Sequence, residues 1–263
     1  MTSQPLNAPV CPAPRNLLAG KTVLITAAAG TGIGFATARR CVEEGARVMI
    51  SDTHERRLAQ AVEDIGTAVG TRPVAHRCDV TNEAEVQALF AAAISSLGHV
   101  DILVNNAGLG GYAQVVDMED AQWQRVLDVT LTGTMRMTRA AFAHMLPRRS
   151  GAIVNNASVL GWRAQEGQSH YAAAKAGVMA LTRCAAMEAA AAGVRVNAVA
   201  PSLVMHPHLA KVTPDGLLRE LEAREAFGRA AEPWEVANVI VFLASDLASY
   251  MTGEVVAVSS QRA

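Results

Sequence analysis

From Lys21 onward, short runs of β-branched and aliphatic residues alternate with long Ala-rich stretches of helical periodicity. The apolar runs predict strands over Lys21–Thr26, Arg47–Ser51, Pro73–Arg77, Val100–Asn105, Ala152–Asn156, Val194–Val199 and Glu254–Val258. They are near-continuous rather than alternating, which is the pattern of parallel strands covered on both faces. The stretches between them predict helices over Ile33–Glu44, Glu55–Val69, Asn82–Leu97, Asp120–Leu146, Ser169–Ala192 and Glu232–Leu247. Strand alternating with helix means βαβ units with right-handed crossovers. The expected fold is α/β, a single doubly wound parallel sheet of about seven strands with helices on both faces.

Two regions break the rhythm. Residues 1–19 carry Pro5, Pro9, Pro12 and Pro14 and lack the apolar centre of a targeting peptide, so a flexible arm is expected ahead of a domain over 20–263. Residues 201–228 form a long excursion with Pro207, Pro214, Gly216 and two histidines. At the end of a parallel strand this predicts a substrate lid near 202–228.

Composition narrows the function classes. The 263 residues suit one large α/β domain, and 23 Lys+Arg against 24 Asp+Glu leave a net charge of −1. Such a balance argues against DNA, RNA or an anionic membrane as the main partner. No uncharged apolar stretch is long enough for a membrane span. Cys11, Cys41, Cys78 and Cys184 stand far apart with no CxxC, which suits reduced thiols and a cytoplasmic location. His206 and His208 have a chelating spacing but no third ligand near them, so no metal site is expected.

The candidate chemistry sits where strands end. The first strand runs into Thr26-Ala27-Ala28-Ala29-Gly30-Thr31-Gly32-Ile33-Gly34 and then a helix. Small residues let a backbone approach a pyrophosphate, and the helix N-terminus supplies free N–H groups and a positive dipole end. Any tight strand–helix turn also wants glycine; the strand before and helix after favour the nucleotide reading. Asp52 closes the second strand, where an acid binds the adenosine ribose and repels a 2′-phosphate. NAD(H) is therefore preferred, while Arg56 and Arg57 leave NADP(H) open. Tyr171 and Lys175 are spaced i, i+4 on one helix face. An ammonium beside a phenol lowers the phenol's pKa and makes Tyr171 a candidate general acid or base. Ser158 ends the fifth strand, where its hydroxyl can bond a substrate oxygen.

Ser158, Tyr171 and Lys175 in this spacing, with Asn105-Asn106-Ala107-Gly108 after the fourth strand, resemble the short-chain dehydrogenase/reductase family. The likeness runs from Gly20 to near the end and includes Asp79-Val80 and the stretch from Asn197 to Pro201. It implies a Rossmann-type fold, a nicotinamide cofactor and reversible oxidation of a secondary alcohol. It also implies that Tyr171 is the acid/base, that Ser158 positions the carbonyl, and that Lys175 binds the nicotinamide ribose and tunes the tyrosine. By the same resemblance Asp79 and Val80 meet adenine, and Asn106, Ala107 and Gly108 line the adenosine side. Pro201 and the Val204 backbone approach the carboxamide. Assembly as a homotetramer or homodimer would use the helices over Asp120–Leu146 and Ser169–Ala192.

The sequence departs from the family in four places. Ala27 or Ala28 takes the first glycine's place in a loop one residue longer. Thr130 stands where the family has a catalytic asparagine. Ser202 replaces a glycine, and His206 stands where a threonine contacts the cofactor. The last strand ends in Val258-Ser259-Ser260-Gln261 instead of Asp-Gly-Gly.

The loops that set specificity carry Leu109, Tyr112, Val159, Leu160, Trp162, Met205, Leu209 and Phe227, a lining suited to a hydrophobic alcohol or ketone. Arg163, Lys211, Arg219, Arg224 and Arg229 are candidates to meet a phosphate of a carrier such as CoA. The stretches Thr26–Gly34, Asn155–Ala164 and Gly228–Trp234 resemble the actinobacterial dehydrogenases of steroid (cholesterol) ring degradation. That likeness implies a hydroxylated hydroindanone-propionate intermediate carried as a CoA thioester. A 3-oxoacyl-(ACP/CoA) reductase is the alternative within the enzyme class. A catalytically silent nucleotide-binding or scaffold protein is the alternative outside it.

Overall fold

Every one of the apolar runs forms a strand: β1 (Thr22–Ile25), β2 (Arg47–Asp52), β3 (Val74–Arg77), β4 (Ile102–Asn105), β5 (Gly151–Asn156), β6 (Val194–Pro201) and β7 (Val255–Val258). The computed structural model describes residues 7–205 and 215–260. The strands pair in parallel in the order β3-β2-β1-β4-β5-β6-β7. The helices are α1 (Ile33–Glu43), α2 (Glu55–Val69), α3 (Glu83–Leu97), α4 (Asp120–Leu127), α5 (Gly133–Arg148), α6 (Ser169–Ala189), α7 (Asp215–Arg224) and α8 (Pro233–Ala244).

The pleat decides which helix covers which side. Val23 and Ile25 of β1 join Val48 and Ile50 in a core with α1, α2 and α8. Leu24 and Met49, one residue out of phase, face α3, α5 and α6. The chain winds outward from β1 to β3, then returns to β4 on the other side of β1. Order reverses there, so a crevice opens at the carboxyl ends of β1 and β4.

Three expectations are corrected. The outer strands are not covered on both faces: β3 is mostly exposed and β7 half-exposed, because each is a sheet edge. The helix expected over Asp120–Leu146 is broken by a wide π-type turn at Asp128–Thr132, centred on Thr130. Residues 12–18, assigned to a flexible arm, are fastened to α1. There Arg40, paired with Glu44 at 2.6 Å, donates to Pro12 O, and Glu44 accepts from the N–H groups of Arg15 and Leu17. Smaller shifts occur at two C-termini, where α6 and α8 stop at Ala189 and Ala244 and short 3-10 turns follow.

The excursion after β6 holds a helix that the prolines concealed, α7. His206, His208, Leu209 and Lys211 lie outside the described residues. Among the described residues no helix is long and apolar enough to cross a membrane.

Candidate active site

The glycine-rich turn between β1 and α1 is braced from behind and open in front. Buried Thr26 accepts at its Oγ1 from the N–H groups of Asn106 and Ala107, each at 3.0 Å. Asn106 Nδ2 donates to Ala27 O at 2.9 Å. Gly34 closes this contact, since a Cβ there would stand 2.3 Å from Ala27 O. Gly30, at φ +110°, adopts a conformation that glycine takes without strain. A Cβ on Gly30 or Gly32 would meet nothing within 4 Å, so the front of the loop faces open space. Gly32 caps α1 without a side-chain bond, and the first turn, with Ile33, holds no acid. Its N–H groups and dipole are therefore uncovered. These residues fit a dinucleotide pyrophosphate.

Asp52 lies beside this cradle. Burial raises its pKa, opposed by the Ala29 N–H bond, the Arg57 charge and bonds from Thr53. Next to it a cavity of about 450 Å³ is lined by Thr53, His54, Glu55, Arg56, Arg57 and Arg77. Just past β3, the strand paired with β2, Asp79 uses Oδ1 to accept from the N–H and hydroxyl of Thr81, at 2.9 and 2.8 Å. Val80 is buried against Gly133, where a Cβ would clash with it at 2.6 Å.

Ser158, Tyr171 and Lys175 converge at the ends of β5 and α6. Ser158 Oγ accepts from Leu160 N–H at 3.2 Å, and its hydroxyl stands near enough to Tyr171 to draw that phenol's pKa down. Lys175 Nζ donates to Asn156 O at 2.5 Å and lies 5.5 Å from the centre of the Tyr171 ring. Gly108 gives it room, since a Cβ there would be 3.3 Å from Nζ. Burial pulls the Lys175 pKa down to about 8. The expectation that the ammonium lowers the tyrosine is corrected here. Burial raises the Tyr171 pKa, and only the nearby Ser158 hydroxyl pulls the other way. The lysine points at the Asn156 carbonyl rather than at the phenol oxygen.

Thr130 does work that its position alone did not reveal. Its Oγ1 accepts from Leu109 N–H at 3.0 Å and donates to Leu109 O at 3.2 Å. Thr134 donates to the Thr130 carbonyl at 2.8 Å. Threonine thus stabilises the wide helical turn and pins the loop after β4 with one short side chain.

Sequence reasoning missed two residues here. Asn156 Nδ2 donates to Asn106 Oδ1 at 2.9 Å, so one side chain joins the lysine's acceptor strand to the glycine loop's brace. Its Oδ1 is buried without a partner among the described residues. His170, buried beside Tyr171, faces Gly111 and likewise leaves Nδ1 unpartnered. No spacing rule marks either residue, because both signals are three-dimensional.

The loops after β4 and β5 are stitched together. Gln168 donates to Gly111 O at 2.6 Å, Ala113 N–H to Gly167 O at 3.0 Å, and Gln114 to Glu166 at 2.5 Å. Tyr112, Trp162 and Phe227 are exposed apolar residues, whereas Val159 is buried. Of the arginines considered for a CoA phosphate, Arg229 is committed to both oxygens of Glu235, and Arg224 pairs with Glu220. Beyond Pro201, the N–H of Ala231 donates to Leu203 O, and Met205 N–H donates to Ala231 O. This parallel bridge turns Val204's own N–H and C=O to the opposite edge. No group of three potential metal ligands occurs among the described residues.

The chain is similar to known proteins over nearly its whole length. A family model described as enoyl-(acyl carrier protein) reductase matches residues 27–260. The "(5R,7aS)-5-hydroxy-7a-methyl-1-oxo-2,3,5,6,7,7a-hexahydro-1H-indene-carboxyl-CoA reductase" of Mycobacterium tuberculosis is 60% identical over 247 residues, 93% of this chain and 94% of that protein. The cis-4-hydroxycyclohexanecarboxylate dehydrogenase of Sinomonas cyclohexanicum is 43% identical, over 90% of this chain and 94% of that protein. A crystal structure of a short chain dehydrogenase from Mycobacterium smegmatis superposes with a TM-score of 0.87 at 57% identity, covering 98% of this chain and 99% of that one.

Proposed function

The chain belongs to the short-chain dehydrogenase/reductase family, NAD(P)-linked oxidoreductases, and from that premise we propose that it interconverts a ketone and a secondary alcohol on a hydrophobic fused-ring acid carried as its CoA thioester, an intermediate of steroid ring degradation. The observation that carries this reading is the 60% identity to the indene-carboxyl-CoA reductase. The convergence of Ser158, Tyr171 and Lys175 supports it from the chemical side.

The bound nicotinamide supplies a hydride in reduction and accepts one in oxidation. The chain's own residues handle the oxygen. Tyr171 donates its proton to the ketone oxygen as negative charge develops there, and Ser158 donates a hydrogen bond to the same atom. Burial raises the Tyr171 pKa, so the phenol carries its proton at neutral pH, as a donor to the ketone oxygen must. Lys175 holds the nicotinamide ribose, while the Asn156 carbonyl fixes its ammonium. Thr130 keeps the loop at Leu109 in place. Gly30, Gly32, Ile33 and Gly34 cradle the pyrophosphate, Asp52 takes the adenosine ribose, and Asp79, Val80 and Asn106–Gly108 line the adenine side. Pro201 and Val204 meet the carboxamide; His206, outside the described residues, is kept as a contact from sequence alone.

Asp52 supports NAD(H) as the preferred cofactor. NADP(H) has one observation in its favour, the cavity bordered by Arg56, Arg57 and Arg77. We place the protein in the cytoplasm as a homotetramer or homodimer.

The test is a fluorescence titration with NADH and NADPH, followed by turnover of a bicyclic ketone, free and as its CoA thioester, and of a short 3-oxoacyl thioester. NADH binding with turnover of the bicyclic thioester is expected. NADPH preference with reduction of the 3-oxoacyl thioester would replace this reading by the acyl-reductase one. Binding with no turnover on any substrate would replace it by a silent nucleotide-binding protein.

A further inference from the structure

Ser202 and the Ser259-Ser260 ending are departures from the family that the reacting groups do not explain. The structure joins two of these serines through one buried acid. Glu225, just past α7, is only 4% exposed. Its Oε2 accepts from Ser202 Oγ at 3.1 Å and from Ser260 Oγ at 2.9 Å. Its Oε1 accepts from Leu203 N–H at 3.4 Å. Backbone bonds tighten the same knot, with Ala226 N–H on Ser260 O at 2.8 Å and Ser202 N–H on Val258 O at 3.2 Å. A carboxylate withdrawn from water is costly, and it persists where several donors hold it. Here the donors come from two separate segments, the one leaving β6 and the one leaving β7. Both lie at the carboxyl end of the sheet, next to the Val204–Ala231 bridge.

We propose that Glu225 is a positioning residue, whose carboxylate clamps residues 202–205 and Ser260 in the register that presents the Val204 backbone to the nicotinamide end of the cofactor. The inference rests on the reading of the crevice as a nicotinamide-nucleotide site. The clamp depends on hydrogen-bond geometry, and charge is secondary. A glutamine at 225 can keep all three bonds: its carbonyl accepts from Leu203 N–H, and its amide N–H groups donate to two serine oxygens that accept as readily as they donate. An alanine keeps none.

The experiment compares wild type, Glu225→Ala, Glu225→Gln and the double variant Ser202→Ala/Ser260→Ala. NADH and NADPH dissociation constants are read by fluorescence, kcat and KM by steady-state turnover, and amide hydrogen exchange at Leu203 and Ala226 in the protein without nucleotide. Glu225→Ala is expected to weaken the preferred nucleotide about five- to thirtyfold and to raise its KM by a similar factor, with kcat changed less than about threefold. Both amides should exchange faster. Glu225→Gln should stay within about twofold of wild type, as a rescue by the conservative replacement. The double serine variant should fall between them, and it carries the test if Glu225→Ala does not fold. Unchanged binding and KM in the alanine and serine variants, even with lowered thermal stability, would reduce Glu225 to a structural role and overturn the proposal. So would a glutamine variant as impaired as the alanine one. Wild type that binds neither nucleotide would instead overturn the reading of the crevice on which the proposal rests.

Discussion

The two ends of the central strands are built to opposite rules. At the amino end, Asp101 before β4 accepts from Thr22 N–H and Thr22 Oγ1 of β1, at 3.0 and 3.1 Å. It also bonds His99 and Arg148. Thr22 Oγ1 accepts in return from Asp101 N–H, His144 accepts from Val100 N–H, and Arg148 donates to Val100 O. At the carboxyl end of the neighbouring strands, Asn156 Oδ1, His170 Nδ1 and Ser51 Oγ are buried without partners among the described residues. There too the buried Lys175 makes one hydrogen bond among the described residues, to Asn156 O. The first arrangement is complete and serves stability. The second leaves buried polar groups free to bond a ligand, as a functional site does.

The contrast breaks most sharply at Tyr171. Tyr171→Phe removes the proton donor and keeps the ring packing. Turnover should fall by about 10²–10⁴-fold, the range for a lost general acid. Nucleotide binding by fluorescence and the melting temperature should stay near wild type. Turnover within tenfold of wild type would remove Tyr171 from the chemistry.

Lys175 and Asp101 should then move activity and stability in opposite senses. Burial holds Lys175 at about 8 in the folded protein, below its value in the unfolded chain. Below pH 8 the ammonium is charged in both states and its burial opposes folding. That penalty fades as pH rises from 8 toward the unfolded value, where both states lose the proton. Lys175→Met should therefore raise stability at pH 7 by about 2 kcal/mol, after allowing for an unpaired Asn156 carbonyl, while abolishing most turnover. Thermal unfolding at pH 7 and at pH 10.5 checks this, and the gain should shrink at the higher pH. A destabilised methionine variant at pH 7 would mean the lysine's contacts outweigh its burial.

Asp101 has the reverse sign. Burial alone would raise its pKa, but bonds from Thr22 and Arg148 and the His99 charge outweigh it and hold it below the ordinary carboxylate value. Its stabilisation is present above the unfolded pKa of ~3.9 and is lost as pH falls through the lowered folded value. Asp101→Asn should cost about 2 kcal/mol at pH 7, or roughly 4–8 °C in Tm, with kcat and KM unchanged. The deficit should close as pH falls through the lowered folded value. A loss of activity without a loss of stability would erase the division between the two ends.

The same division governs what was legible in the chain. All seven strands follow from apolar runs, because burying a strand demands them whatever the neighbours are. Ser158, Tyr171 and Lys175 stand out through their spacing together with the family resemblance, and the fold brings them to one place at the ends of β5 and α6. The wide turn at Thr130 did not, since an unbroken helical periodicity runs through it and the turn is fixed by a bond to Leu109, far away in sequence. The docked segment at residues 12–18 was hidden by its prolines, because what holds it is Arg40 in α1's last turn and Glu44 just after it. Asn156, His170 and Glu225 act only through partners on other elements. Helix α7 was concealed because the prolines and glycine around it read as loop.

The smallest expected effect tests strain at the ligand-ready end. Ala27 sits at φ +50°, the left-handed region where a β-carbon crowds its own backbone. The family places a glycine in this turn. Here the alanine is held there by Asn106 on its carbonyl and by Gly34 packed against the same oxygen. Ala27→Gly relieves the crowding but gives the unfolded chain more freedom, and the two effects nearly offset. A net gain of about 0.5 kcal/mol is expected, one or two degrees in Tm by the ~2–4 °C per kcal/mol of a domain this size. Nucleotide affinity should hold within about twofold, because the brace from Asn106 remains. A glycine variant less stable than wild type would show that the alanine methyl packs well enough to outweigh its backbone strain, and that this end of the sheet is less strained than its partner end is satisfied.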